Sequence, residues 1–222
     1  GLGDVYKRQL QYRSANALPR ELSLYTKDGE IYMAANAVKE TQGLRKGTTT
    51  IADIDLKDEY TVNPMKTGPE GACELEMDIT PNNADTVGFA LLNDKGEKVD
   101  IYLDLKGGRI VMDRTQSGIT DLSRYGEVTV HAKETDDHRK KLSVNYVNDF
   151  ALGTWAPLSL CNGKTYHLDV FVDKCSIEIF VDGGRIAMTN LVFPTAPYSA
   201  LRFYSKDGEA QIKNLNIYQL SL

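Results

Sequence analysis

Apolar and polar side chains alternate with a period of two along much of this chain. The pattern is clearest in residues 73–79 (CELEMDI), 99–105 (VDIYLDL), 142–147 (LSVNYV), 167–172 (HLDVFV), 176–181 (SIEIFV) and 212–218 (IKNLNIY). Successive side chains of a β-strand point to opposite faces, so each run predicts a strand with one face on a core and the other toward water. Short polar sequences separate the runs: KDGE at 27–30, NDKG at 93–96, KGGR at 106–109, DGGR at 182–185 and KDGE at 206–209. Their Asp-Gly and Gly-Gly pairs supply the positive φ that tight hairpins require. The pattern predicts about eleven or twelve strands. The best helical stretch, residues 121–125, is a single turn.

Many short strands joined by hairpins predict an all-β fold: a two-sheet antiparallel β-sandwich of jelly-roll or concanavalin-like type. The chain shows no repeat of fixed period and no low-complexity linker. Residues 61–71 (TVNPMKTGPEG) are the most loop-like, yet strand patterns continue on both sides. Residues 10–222 are therefore expected to form one domain. Residues 1–9 (GLGDVYKRQ) lack the apolar centre of a signal peptide and read as a sequencing or cloning scar. On that reading the chain starts inside a longer protein.

With 222 residues, a single domain buries roughly 70–75% of the surface its unfolded chain exposes. It needs neither disulfides nor a metal to hold a core. Hydrophobic residues make up 41% and charged residues 26%, and the net charge is −5. That balance gives no general attraction for nucleic acid, whose binding rests on neutralising phosphates. No run of 18 apolar residues exists, which leaves no transmembrane helix and no expected membrane partner. The three cysteines, Cys73, Cys161 and Cys175, are widely spaced with no CxxC pair, which argues against zinc. Two states stay open for them: three buried thiols, or one disulfide and one thiol.

Chemistry-bearing motifs are scarce. The histidines are His131, His138 and His167, without HxH or HxxxH spacing. His138 sits in a charged connection, residues 133–141, and His167 on a strand face, where a hydrogen-bonded structural role is expected. There is no GxSxG elbow and no phosphate-cradling glycine loop. No cofactor and no metal are expected. Asp104, Asp169 and Glu178 alternate along strands and are expected to face water.

Three segments carry a resemblance. Residues 12–24 (YRSANALPRELSL), 113–118 (DRTQSG) and 171–193 (FVDKCSIEIFVDGGRIAMTNLVF, followed by Pro194) occur in this order and span nearly the whole chain. Together they resemble the C-terminal sandwich of family 32 glycoside hydrolases, the levanases, inulinases and invertases that cleave β-fructosides. The resemblance implies that catalysis belongs to an N-terminal five-bladed propeller. That propeller carries its nucleophile in Asn-Asp-Pro-Asn-Gly, a stabilising Asp in Arg-Asp-Pro and its acid/base in Glu-Cys. None of these motifs is present here. The nearest fragments are Asn93-Asp94-Lys95, Asn148-Asp149-Phe150, Asp113-Arg114 and Cys73-Glu74: the first two lack the proline and the last two run in the wrong order. No catalytic residue is therefore carried over, and the chain itself is not expected to be an enzyme.

The resemblance implies two roles. The domain packs against the propeller and stabilises it, which predicts an exposed apolar patch on the isolated chain. Alternatively it is a fructan-binding module for terminal fructose. For the second role the candidates are Trp155, the only tryptophan, in the loop-like GTWAP at 153–157, with Asp104, Arg114 and Glu178 near the resembling segments. Asp113 and Arg114 could instead form a local ion pair or hold the chain. A parent of this kind is expected to be secreted or periplasmic.

Overall fold

The computed structural model describes residues 16–121, 128–133, 139–144 and 150–221. In chain order the strands are β1 Arg20–Lys27, β2 Glu30–Ala37, β3 Arg45–Thr50, β4 Ile54–Leu56, β5 Glu59–Val62, β6 Cys73–Thr80, β7 Thr86–Leu92, β8 Lys98–Asp104, β9 Arg109–Gln116, β10 Val128–Lys133, β11 Arg139–Val144, β12 Gly153–Pro157, β13 Tyr166–Asp173, β14 Ser176–Val181, β15 Ile186–Leu191, β16 Ala200–Lys206 and β17 Ala210–Leu220. Residues 122–125 of the helical turn expected near 121–125, and His138, lie outside the described residues.

Two antiparallel sheets form the sandwich. One has the order β12-β9-β8-β7-β16-β5; the other runs β15-β14-β13-β6-β17-β3, with β4 also pairing β17. Two hairpins, β1–β2 and β10–β11, stand as separate two-stranded sheets. The count exceeds the dozen strands expected. The additional ones are short pieces such as β4 and β5 and the edge strand β12, too brief or too irregular to show a period.

The strands face as their alternation dictates. In β8, Val99, Ile101 and Leu103 are at most 1% exposed, while Lys98, Asp100, Tyr102 and Asp104 point away. Leu75, Met77 and Ile79 of β6 and Ile177, Ile179 and Val181 of β14 meet them from the other sheet. Phe89 and Phe203, both fully buried, pack with ring centroids 5.8 Å apart. Tyr198 is buried among them and donates its hydroxyl to the Ser117 carbonyl at 2.8 Å. Tyr198→Phe leaves that carbonyl without its partner and is expected to lower stability by about 1–2 kcal/mol, read as a shifted urea midpoint at constant slope.

A third layer lies on the far side of the second sheet. Phe171, Phe180 and Leu220 form a smaller apolar cluster there with Ala37, and Leu18 and Leu44 pack against it. The chain before β3 thus covers a sheet face that alternation alone assigns to water. Glu178 shows the result. It was expected to face solvent, but it is 4% exposed. Alternation correctly turns it away from the main core; the covering segment then buries it. No disulfide forms: Cys73 and Cys161 are buried thiols, each pushed up to about 12 by burial, and Cys175 is partly covered.

The β1–β2 hairpin is attached at the β14–β15 turn. Asp182, Gly183 and Gly184 all take positive φ there. The Ala35 N–H donates to the Gly184 carbonyl at 2.9 Å, and a Cβ on Gly184 would lie 2.4 Å from the Ala35 carbonyl carbon. Only glycine fits both the turn and the approach. Arg185 stacks over Tyr25, which in turn stacks on Tyr32, 5.6 Å away.

Candidate functional site

The outer face of the six-stranded sheet is the face turned from the core, and strand register orders its side chains into rows. One row runs Trp155, Val111, Tyr102, Gly88, Tyr204, Glu59 across all six strands. Beside it run Asp113, Asp100, Ala90 and Arg202 on one flank, and Arg109, Asp104, Thr86 and Lys206 on the other. Between β5 and β9 these rows enclose an open groove of about 840 Å³. Gly88 is packed closely against β8, where a Cβ would sit 2.4 Å from the Tyr102 Cβ.

Charges on this face are mostly paired with one another. Lys98 meets Asp100 at 2.7 Å, Arg109 meets Asp104 at 3.0 Å, and Arg202 reaches Glu59 at 4.0 Å. Asp104 also accepts the Gly107 N–H at 2.8 Å, and that bond, helped by Arg109, holds its carboxyl below the usual range. Burial, and then the carboxylates nearby, push the Tyr102 and Tyr204 hydroxyls up. Such a groove offers aromatic surface, donors and acceptors. The lowered Asp104 carboxyl moves the wrong way for a general acid.

A second polar cluster lies on the face of the seven-stranded sheet turned from the main core. The Arg45 guanidinium is bidentate to Glu74, with Nε to Oε2 at 2.7 Å, and stacks 3.7 Å over the Tyr218 ring. Tyr218 donates to Glu76 at 2.7 Å. Asp169 hydrogen-bonds Glu74, its Oδ1 is buried without a partner, and burial plus Glu74 push its carboxyl up to about 8. It is only partly exposed, not turned freely to water as expected, because Glu74, Glu76 and Arg45 crowd the same face. Glu74 is 1% exposed, so no sugar ring reaches this pair of carboxyls.

The four sequence candidates separate. Trp155 and Asp104 share the outer face. Trp155 is 61% exposed and lies on edge strand β12, not in a loop; β12 pairs with β9 through a single side, too short a segment to show alternation. Arg114 donates to the Leu191 carbonyl at 2.8 Å and stacks 4.3 Å over Phe150, which ties β9 to the end of β15. It holds the chain and forms no ion pair with Asp113, which accepts the Thr115 N–H instead. Glu178 accepts from the Leu18 N–H at 2.7 Å, Arg20 at 3.1 Å and Thr189 at 2.9 Å, anchoring the entry to β1. His167 bonds Asp78 at 2.8 Å, the structural role expected of it. Tyr102, Tyr204, Asp100 and Asp113 were missed. Their alternation is visible in the sequence, but their adjacency depends on β16 pairing with β7. Among the described residues no group of His, Cys, Asp and Glu is placed to hold a metal.

Two antiparallel sheets with a polar groove on the outer face of one define an all-β sandwich domain. The family described as "Glycosyl hydrolases family 32 C terminal" matches residues 40–219, and the chain belongs to it. It is 24% identical over 210 residues to a levanase of Bacillus subtilis, which covers 94% of this chain and 28% of the levanase. It is 22% identical to the extracellular exo-inulinase of Aspergillus niger, over 95% of this chain and 35% of that protein. The crystal structure of an exo-inulinase from Aspergillus awamori superposes with a TM-score of 0.69 at 21% identity, covering 95% of this chain and 36% of the other. The chain thus spans about a third or less of the length of these relatives.

Proposed function

We propose that this chain is the non-catalytic C-terminal domain of a longer enzyme that hydrolyses fructans or sucrose, and that it stabilises that enzyme's N-terminal catalytic propeller. The relatives named levanase, fructan β-fructosidase and acid β-fructofuranosidase support the substrate class. The observation that carries the docking role is the β1–β2 hairpin. Register places Leu22, Leu24, Ile31 and Met33 on one face, and they are 62%, 74%, 71% and 60% exposed. The opposite face, with Tyr25, rests on the β14–β15 turn. A lone two-stranded hairpin is marginal in water, and an apolar face of this kind marks a surface built to be covered.

Leu24→Asp with Met33→Asp tests this reading. The isolated chain is expected to keep its stability within about 0.5 kcal/mol, since both side chains already face solvent. In the parent enzyme the same pair is expected to lower the melting temperature of the catalytic domain. An unchanged melting temperature there would sink the docking role. Fructose released from levan or sucrose by the purified chain, and abolished by replacing one of its own carboxylates, would sink the non-catalytic one.

A further inference from the structure

We propose that the outer face of the six-stranded sheet binds a neutral glycan chain laid across the strands, along the row from Trp155 to Tyr204. This goes beyond the docking role and uses a different surface from the hairpin.

Spacing is the first argument. Trp155 and Tyr102 are two strands apart, as are Tyr102 and Tyr204. At a strand separation of about 4.8 Å, the aromatic side chains recur roughly every 10 Å, on the scale of two sugar rings in an extended chain. The residues between them are small or flat: Val111 is 7% exposed and Gly88 has no side chain. Aromatic platforms separated by a low floor suit a ligand of repeated rings.

Charge is the second. The groove is lined by five carboxylates (Asp58, Glu59, Asp100, Asp104, Asp113) and three cations (Lys98, Arg202, Lys206), a difference of two in favour of negative charge. A phosphorylated or acidic ligand is disfavoured. Asp100 and Asp104 are already paired with cations, so they present lone pairs without strong net charge. Asp113 makes its one hydrogen bond among the described residues to the Thr115 N–H, which leaves acceptor capacity toward the groove. Hydroxyl groups, which both donate and accept, match such a surface. Lys206 lies 5.5 Å from the centre of the Tyr204 ring and must swing aside for a sugar to stack there; its exposed position allows this.

The test is calorimetric titration of the purified chain with levan, inulin and dextran. Saturable binding of at least one of them is expected. Trp155→Ala and Tyr102→Ala are each expected to weaken it about tenfold, the loss of one aromatic platform. Trp155 is exposed, so its replacement leaves the fold intact, and Asp113→Asn gives a second probe that removes an acceptor without changing shape. Tyr60→Ala, exposed on β5 and outside the row, is expected to bind as the parent chain does. No binding to any of the three polysaccharides overturns the proposal, as does binding that survives both Trp155→Ala and Tyr102→Ala. Preference for an anionic polysaccharide over all three overturns it as well. The hairpin variants leave these titrations unchanged if the two surfaces are independent, so failure of one reading is distinguishable from failure of the other.

Discussion

Arg45→Ala is expected to destabilise the domain by about 3–5 kcal/mol, the usual cost of stranding one partner of a buried ion pair. Glu74 is 1% exposed, and Arg45 is its bidentate partner. Removing the guanidinium leaves the Glu74 carboxylate beside Asp169 and Glu76 with no cation, and uncovers the Tyr218 ring on which Arg45 stacks. Urea unfolding reads the loss directly. The double replacement Arg45→Met with Glu74→Leu is expected to recover most of it, because the desolvation cost disappears together with the attraction. A loss below about 1 kcal/mol for Arg45→Ala would mean that Glu74 is neutral in the folded state, against this account.

Asp169→Asn is expected to stabilise the domain at pH 8 by an amount on the order of a few kcal/mol, and to change little near pH 4. The folded carboxyl sits at about 8 because of burial and Glu74, whereas in an unfolded chain it titrates near about 3.9. Between those values the folded state keeps a proton that the unfolded state has released. The group's contribution is therefore full below pH 4, falls as pH rises, and is lost above pH 8. An asparagine mimics the protonated acid and removes this slope, while still able to donate to Glu74. Urea midpoints of both proteins at pH 4, 6 and 8 provide the check, and their difference cancels the other titrating groups. A difference that does not grow with pH would refute the raised Asp169 carboxyl. The two replacements touch the same cluster, so their effects should not add.

Strand positions and facing were legible from alternation because burial on one side of a sheet imposes period two. The segments CELEMDI, VDIYLDL and SIEIFV lie where expected in β6, β8 and β14, and the DGGR turn joins β14 to β15. What alternation omits is what lies over each outer face. Glu178 and Asp104 occupy equivalent outward positions in the sequence pattern, yet one is sealed by the segment entering β1 and the other borders an open groove. The three resembling segments anticipated the family and the sandwich. They said nothing of the row through Tyr102 and Tyr204, because β7 meets β16 only through long-range pairing. The exposed hairpin was anticipated as an apolar patch from the missing-partner argument, though not its place in the chain.

Strand order carries a consequence for how the chain is made. β16 lies between β7 and β5 in one sheet, and β17 lies between β6 and β3 in the other. The two most C-terminal of the described strands are thus each interior to one sheet. Until they arrive, β3 and β5 have no neighbour to pair with, and β6 and β7 each present an open backbone edge. Assembly has to wait for β16 and β17, a slow, long-range closure that leaves open strand edges exposed during synthesis. A transcript truncated even slightly before β16 would yield two half-sheets with unpaired edges, material for proteases and chaperones and no smaller version of the same domain.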